Sequence, residues 1–344
     1  MIKAGIIGAT GYGGAELIRL LLNHPKAELK KIASVSYEGE EISKMYPSFF
    51  NIIDDKLCGE DEAIDSCDVI FAAVPHGVSQ PLAKKCIEKG KAFIDLGADF
   101  RLTSEDEYKK WYGGVFEDKK LHEMSVYGLP EFNREKIKTT KLIANPGCFP
   151  TSINLALYPA LKNALVSTKG IVIDSKSGAT GAGKSLTDAS HFVTLNEGFH
   201  SYKTGKHRHT PEIEEILSKM AGEKLYVTFV PHLLPINRGI LSTIYADLKT
   251  DLSLEEIHKL YEEFYKDEFF VKVLPLGSFA DVKNVKMSNF CHISLHKDDH
   301  TGKLILTSAI DNMVKGAAGQ AVQNMNLVFG LNETDGLLSV PPAI

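Results

Sequence analysis

Apolar residues gather in short runs along the first part of the chain, separated by stretches whose apolar positions recur at helical spacing. Residues 3–8 (KAGIIG), 28–35 (ELKKIASV), 68–74 (DVIFAAV) and 91–96 (KAFIDL) read as strands, and 15–24 (AELIRLLLNH) reads as an amphipathic helix behind the first of them. Strands this apolar, alternating with helices from Met1 to about Pro146, predict a parallel sheet covered on both faces. The pattern then changes. A helix over 151–165 (TSINLALYPALKNAL) and a strand over 170–175 (GIVIDS) are followed by longer, partly alternating strands at 224–234, 239–248, 288–297 and 303–311, which predict a mixed or antiparallel sheet. A last helix over 313–330 carries small residues along one side. No repeat or low-complexity tract interrupts the chain.

Composition narrows the function classes. The 344 residues are 44% hydrophobic and 24% charged, enough for two ordinary domains. The net charge is −5, and the basic residues are scattered, which speaks against a nucleic-acid or membrane-surface partner and for a small-molecule substrate. No segment reaches the ~18 consecutive apolar residues of a membrane span, so the expectation is a cytoplasmic protein. Five cysteines, at 58, 67, 86, 148 and 291, include no C-x-x-C pair; neither a disulfide framework nor a cysteine metal site is expected, and no metal is assigned.

Candidate chemistry begins at Gly8-Ala-Thr-Gly11-Tyr-Gly13-Gly14, a strand turning into a helix through glycines. Such a turn presents bare N–H groups and the positive end of a helix dipole to a pyrophosphate; a tight turn without a ligand uses the same residues. The tip of the second strand, Ser34-Val35-Ser36, carries hydroxyls where an NAD-binding fold usually carries an acid, with Glu38 further on. A carboxylate there would repel a 2′-phosphate and serines can donate to it, so NADP(H) is favoured. A second glycine motif, Gly178-Ala-Thr-Gly-Ala-Gly183-Lys184-Ser185, matches a nucleotide-triphosphate loop and follows a strand. That rival reading requires a helix starting at Lys184-Ser185 and an apolar strand ending in a magnesium-holding Asp, which the strands at 68–74 and 91–96 supply poorly.

Cys148, in Asn145-Pro146-Gly147-Cys148-Phe149-Pro150-Thr151, leads into the apolar helix, and a helix N-terminus favours thiolate over thiol. The other four cysteines lack such a setting and read as core. An acyl-transferring thiolate needs a proton carrier, and Lys206-His207-Arg208-His209-Thr210-Pro211 places two histidines before a helix that Thr210 is expected to cap. Either histidine can serve, and a solvent-exposed capped loop is the plain alternative.

GATGYGGAEL, VPHGVS, DLGADFR, VYGLPE, NPGCFPT, SGATGAG, HRHTPEIE, PINRGIL and DNMVKGAAGQAVQNMN follow one another over nearly the whole chain. In this order they resemble the N-acetyl-γ-glutamyl-phosphate reductases of arginine biosynthesis, relatives of aspartate-semialdehyde dehydrogenase. GADFR departs from the more usual SGDxR through Ala98, and Phe100 and Phe149 stand at positions expected to vary.

The resemblance implies an α/β chain: an N-terminal Rossmann dinucleotide-binding domain over 1–147, completed by 312–344, and a C-terminal α/β catalytic and oligomerisation domain over 148–311 with a mixed or antiparallel sheet. It implies an NADPH-dependent acyl-phosphate reductase working through a Cys148 thioester. His209 takes the acid/base position, with His207 beside it. Gly8, Thr10, Gly11, Tyr12 and Gly13, with Ser34 and Ser36, face NADP(H), as do Ser177, Gly178 and Gly181 of the second glycine loop and Asn312 and Gly316 of the returning segment. Arg101 and Arg238 are the candidates for substrate phosphate and carboxylate, since a guanidinium grips such groups bidentately, with structural ion pairing as the alternative for each, and Asn145 is expected to be substrate-binding. A homodimer or homotetramer is expected.

Overall fold

The computed structural model describes residues 1–343. Contacts divide the chain into two units, residues 1–146 with 317–338, and residues 147–316 with 339–344. The return to the first unit thus comes at 317 rather than 312, because 312–316 pack with the second unit, and within 312–344 only Gly319–Val328 is α-helix.

The first unit runs β1 (Ile2–Ile7), α1 (Tyr12–Leu21), β2 (Ala27–Ala33), α2 (Glu60–Ser66), β3 (Val69–Ala72), α3 (Ser79–Glu88), β4 (Ala92–Asp95), α4 (Glu105–Tyr112), α5 (Lys119–Met124), β5 (Val126–Tyr127), α6 (Pro130–Ile137) and β6 (Leu142–Ala144). Its six strands are all parallel, in the order β2-β1-β3-β4-β6-β5. Strand order reverses at β1, so the glycine loop leaves the sheet at the switch point where such sheets take ligands. Val69–Ala72 and Ala92–Asp95 are buried at every position, which explains their unbroken apolar runs. The two-residue β5 and three-residue β6 lie below what periodicity resolves. Cys58, Cys67 and Cys86 sit in one cluster with Ile7, Ile70 and Phe93.

The second unit holds α7 (Cys148–Lys162), β7 (Ile171–Ser177), α8 (Phe192–Leu195), β8 (His200–Ser201), α9 (Thr210–Ala221), β9 (Val227–Leu233), β10 (Ile240–Asp247), α10 (Leu254–Tyr265), β11 (Val271–Val273), β12 (Cys291–Asp298) and β13 (Lys303–Ile310). Its seven-stranded sheet, β11-β12-β13-β10-β7-β9-β8, is mixed: β11 with β12 and β7 with β9 run parallel, the remaining neighbours antiparallel. Alternate residues of β10 are buried, and Leu241, Thr243 and Tyr245 stay half-buried on the opposite face.

Helix α7 packs on β10 and β13 and against α9. A layer of buried serines fixes it there: Ser152 Oγ lies 3.0 Å from both Ser242 Oγ and Ser308 Oγ, within reach of a hydrogen bond to either, and Ser175 Oγ lies 2.8 Å from Ser242 Oγ. The chain returns to the first unit through a π-turn, Val314–Ala318, and α11 (Gly319–Val328), which packs on α1, α6 and β4. Among the described residues no helix is long and apolar enough to cross a membrane.

Candidate active site

In the first unit, Gly8 ends β1 at φ +86°, and a Cβ there would strike the Ala73 carbonyl oxygen, so the sharp exit from the strand requires glycine. Gly8 and Ala9 donate their N–H groups to Ala33 O at 3.1 Å each, binding the loop to the end of β2. Gly11 is the N-cap of α1. The first-turn N–H groups, Tyr12 and Gly13 among them, have no carbonyl within the helix to accept them. A Cβ on Gly13 would come no nearer than 3.9 Å to Ala73 Cβ, so glycine there serves no packing need and leaves open a cradle that a pyrophosphate fits. Thr10 Oγ1 lies 3.4 Å from the buried Ser34 Oγ, Ser36 is exposed on the turn beyond, and the Tyr46 hydroxyl donates to Thr10 O at 2.9 Å. Tyr46 arrives from a short turn with no sequence signal of its own.

Arg101 and Asn145 are built into this unit. Arg101 Nε donates to Asn145 O at 2.8 Å and its Nη2 to Leu96 O at 2.9 Å. Asn145 Nδ2 donates to Ala317 O at 3.0 Å, and its Oδ1 accepts from Asn324 Nδ2 at 3.0 Å. Beside them Asp99 accepts from Gly77 N, Ser79 N and the Tyr108 hydroxyl, while burial raises the Asp95 carboxyl to about 6. These contacts tie the expected substrate-binding pair to backbone and framework.

In the second unit, α7 begins at Cys148 itself, three residues ahead of the start expected from the apolar pattern. Pro150 is accommodated because a first-turn N–H has no helical acceptor to lose. Cys148 is partly exposed, whereas the other four cysteines are buried, and burial pushes the Cys67 and Cys86 thiols up to about 12. The fully buried Glu212, in the first turn of α9, accepts the Gly147 N–H at 2.7 Å. That bond ties the start of α7 to the start of α9, where His209 is the N-cap residue. Thr210 is therefore the first helical residue rather than the cap, with Pro211 behind it.

His207 is buried, and desolvation, with smaller contributions from Lys203 and Arg208, holds it down near about 3. It is neutral at any physiological pH, and its Nδ1 accepts the His209 backbone N–H at 3.1 Å. Phe149 packs edge-on against both histidines, with ring centres 5.5 Å from His207 and 6.0 Å from His209, so the phenylalanine next to the cysteine walls the site. Tyr202, 5.6 Å from the His207 ring, has its phenol pushed up by burial and by the nearby Cys148 sulfur. Neither Tyr202 nor Glu212 stood out in the sequence.

Behind the cysteine lies Gly316, where a Cβ would meet Cys148 Cβ at 2.8 Å and Cys148 Cα at 3.3 Å. Gly316 is thus the rear wall of the thiol's seat. Asn312 Oδ1 accepts from Gly239 N at 2.7 Å and its Nδ2 donates to Thr180 Oγ1 at 3.0 Å, clamping the second glycine loop to the 237–239 turn. Gly178 lies against that turn: a Cβ would sit 2.7 Å from Asn237 O. Gly181 faces Ser177 Oγ and Asn312 Nδ2, and Ser177 is buried with its hydroxyl on Gly178 O. After Gly178 the backbone forms a short 3₁₀ turn, Ala179–Ala182, and no α-helix starts at Lys184-Ser185. The triphosphate-loop reading therefore fails. Arg238 Nη1 lies 3.5 Å from Asp311 Oδ2, and the buried Asp311 also accepts from Met287 N and Met313 N. Among the described residues no group of three or more His, Cys, Asp or Glu is placed to hold a metal ion.

Two family models match the chain, a semialdehyde dehydrogenase NAD binding domain over residues 3–140 and a semialdehyde dehydrogenase dimerisation domain over residues 148–312. An N-acetyl-gamma-glutamyl-phosphate reductase of Clostridium beijerinckii is 58% identical over 343 residues, covering 100% of both chains. The enzymes of that name from Brachyspira hyodysenteriae and Thermoanaerobacter pseudethanolicus are 54% and 48% identical, covering 100% and 99% of this chain and the same shares of their own. Aspartate semialdehyde dehydrogenase II of Vibrio cholerae shares the fold at a TM-score of 0.74 and 16% identity, over 96% of this chain and 99% of that one. The Candida albicans aspartate semialdehyde dehydrogenase solved with NADP does so at 0.70 and 16%, over 96% and 98%. Identity at this level over the full length of both chains shows the relationship, and the chain belongs to the N-acetyl-gamma-glutamyl-phosphate reductase family.

Proposed function

We propose that this chain reduces N-acetyl-γ-glutamyl phosphate to N-acetylglutamate 5-semialdehyde and phosphate, with NADPH as reductant, as a step of arginine biosynthesis. The observation that carries the mechanism is the Gly147–Glu212 hydrogen bond, which sets Cys148 and His209 at the starts of two helices bound to each other. The Cys148 thiolate attacks the acyl carbon; a C–S bond forms, the C–O bond to phosphate breaks, and phosphate departs with the electron pair. Bound above the glycine loop, NADPH would supply the hydride that reduces the thioester carbonyl. His209 gives a proton to the developing alkoxide and takes it back as the C–S bond breaks and the aldehyde leaves.

His207 is a positioning residue in this reading, because a ring held neutral near 3 exchanges no proton at pH 7 but does fix the His209 backbone. Gly8, Thr10, Gly11, Tyr12 and Gly13 hold the pyrophosphate, and Ser34 with Ser36 receives the 2′-phosphate. Ser177, Gly178, Gly181 and Asn312 shape the nicotinamide-side loop, and Gly316 seats the cysteine. Arg101 and Asn145 act mainly by positioning the strand that leads to Cys148, leaving Arg238 as the stronger candidate for a substrate anion.

The half-exposed face of the second sheet and the dimerisation model matched over 148–312 support a homodimer or homotetramer. Five free cysteines, four of them buried, support a reducing, cytoplasmic setting. The test is phosphate-dependent NADP⁺ reduction by the purified protein, with N-acetylglutamate semialdehyde compared with aspartate semialdehyde. A large preference for the first is expected, and a large preference for the second overturns the substrate assignment. Equal kcat/KM for NADP⁺ and NAD⁺ removes the 2′-phosphate role of the serines.

A further inference from the structure

Between the second glycine loop and His207 the chain makes a long excursion that leaves large apolar side chains in water. Leu186, Phe192, Val193 and Phe199 are 89%, 75%, 76% and 60% exposed. A group of this kind on one segment marks a surface that is covered in the working protein. Both ends of the excursion belong to the active site. It leaves from Thr180, whose backbone N–H donates to Asn237 O and whose hydroxyl is clamped by Asn312, and it returns through Tyr202, whose phenol feels the Cys148 sulfur, and His207, which packs on the adjoining Phe149.

The excursion is also continuous with the half-exposed sheet face. Its return strand β8 pairs with β9 at the sheet edge, through His200 with Leu233 and Ser201 with His232. Phe199 packs 5.5 Å from the His232 ring, and His232 Nδ1 lies 3.0 Å from Asp174 Oδ1 on the neighbouring strand. Asp174 alternates with the buried Ile173 and Ser175 and so stands on the face away from the packed helices. The apolar segment therefore extends the surface of the module whose family model is described by dimerisation.

From this juxtaposition of exposed apolar side chains, an edge strand and two anchors at the active site, we infer that residues 184–199 form an arm that docks on a second copy of this chain, and that its docking holds Tyr202 and His207 in place beside Cys148. The inference rests on the homo-oligomeric reading above and adds to it that catalysis depends on association. Without its partner the stretch that carries Tyr202 and His207 keeps its pairing with β9 and the packing of His207 on Phe149 and Phe229 but loses the anchorage of the arm before it, so dissociation loosens the thiol's surroundings without removing a reacting group.

The test is the triple variant Leu186→Ser/Phe192→Ser/Val193→Ser of the full chain, with Val115→Ser, an exposed apolar residue of the first unit, as control. Circular dichroism checks that both remain folded, since the substituted side chains are exposed. Sedimentation velocity over a dilution series is expected to show the triple variant dissociating at a concentration at least about tenfold higher than wild type, with specific activity falling in step and recovering on concentration. A polarity-sensitive dye on Val193→Cys, in a Cys148→Ser background, is expected to shift to the blue as concentration rises. A triple variant with wild-type association and wild-type activity overturns the arm and leaves the oligomer reading standing. Unchanged association with a raised KM also overturns it, because the arm then covers its own subunit's substrate. A wild-type chain that sediments as a monomer throughout removes both readings.

Discussion

Helices α1 and α7 both start directly behind a glycine in extended conformation, Gly11 at φ −78°, ψ 166° and Gly147 at φ −67°, ψ 155°, and neither glycine offers a side chain to cap the first turn. Each therefore presents the positive end of a helix dipole with unfilled N–H groups. At α1 those groups stay bare, with room above Gly13, and the result is a cradle for a diffusing anion. At α7 the same end is wrapped in side chains: Glu212 takes the N-cap N–H, Phe149 walls one side and Gly316 closes the back, so the end holds the chain's own thiol. One electrostatic device thus suits an anion where the backbone is naked and a thiolate where tertiary packing encloses it.

The largest effect expected separates the two ends outright. Cys148→Ser should lose several orders of magnitude in kcat while retaining NADPH affinity, because only the α7 end is altered. Ser at Cys58, Cys67, Cys86 or Cys291 should leave activity in place. Full activity after stoichiometric alkylation of Cys148, read by mass spectrometry and assay together, would falsify covalent catalysis.

The histidine pair sharpens the account of α7. His209→Asn is expected to lower kcat by ~10²- to 10⁴-fold, the range for a lost general acid or base. Rapid quench should still trap acyl-enzyme, since thioester formation does not need the base. His207→Asn should cost less in kcat and act instead on the pH dependence of stability. The folded value of His207 lies near about 3, below the ordinary 6.5, so its contribution is complete above 6.5 and is lost as pH falls toward 3. The fall in Tm across that window should flatten in His207→Asn, with part of the slope kept by the buried His122, itself lowered to about 4. A larger kcat loss for His207→Asn than for His209→Asn exchanges the two roles.

A pair of methyl groups gives the smallest and most direct contrast. Gly316→Ala presses on the Cys148 side chain and should lower kcat by about 10²-fold through misplacement of the nucleophile, with cofactor affinity kept. Gly13→Ala meets ordinary space in the protein itself, so the fold should tolerate it while NADPH binding weakens by about tenfold, roughly 1.4 kcal/mol. Titration of NADPH fluorescence against both variants reads the difference. Equal loss of cofactor affinity in the two would erase the distinction drawn between the helix ends.

The sheet of the first unit was legible because β3, β4 and the last four residues of β1 are buried and mostly apolar, and because glycines mark the exit of β1. Beta strands as short as β5 and β6 leave too little pattern to read, and the place where the chain returns to the first unit depends on what 312–316 pack against rather than on their composition. The thiol was legible at Cys148 because a helix start is a local event, although the start itself moved from Thr151 to Cys148 once Pro150 could occupy the first turn at no hydrogen-bonding cost. Thr210 shows the reverse: its residue type suits a cap, and the turn held by His207 Nδ1 passed that position to His209.

Sequence by itself determined the kind of chemistry: a glycine-marked strand end, hydroxyls at the second strand tip, one cysteine at a helix start and two histidines before another. Each of these is encoded within a few consecutive residues and needs no distant partner to be recognised. The tertiary structure alone decided what surrounds each group. Glu212 joins the two helix starts across 65 residues of chain, burial silences His207, Gly316 closes the seat of a thiol 168 residues before it, and Arg101 and Asn145 are drawn into the framework of the first unit. Those surroundings depend on desolvation and on contacts between segments remote in sequence, and neither quantity exists until the chain has folded.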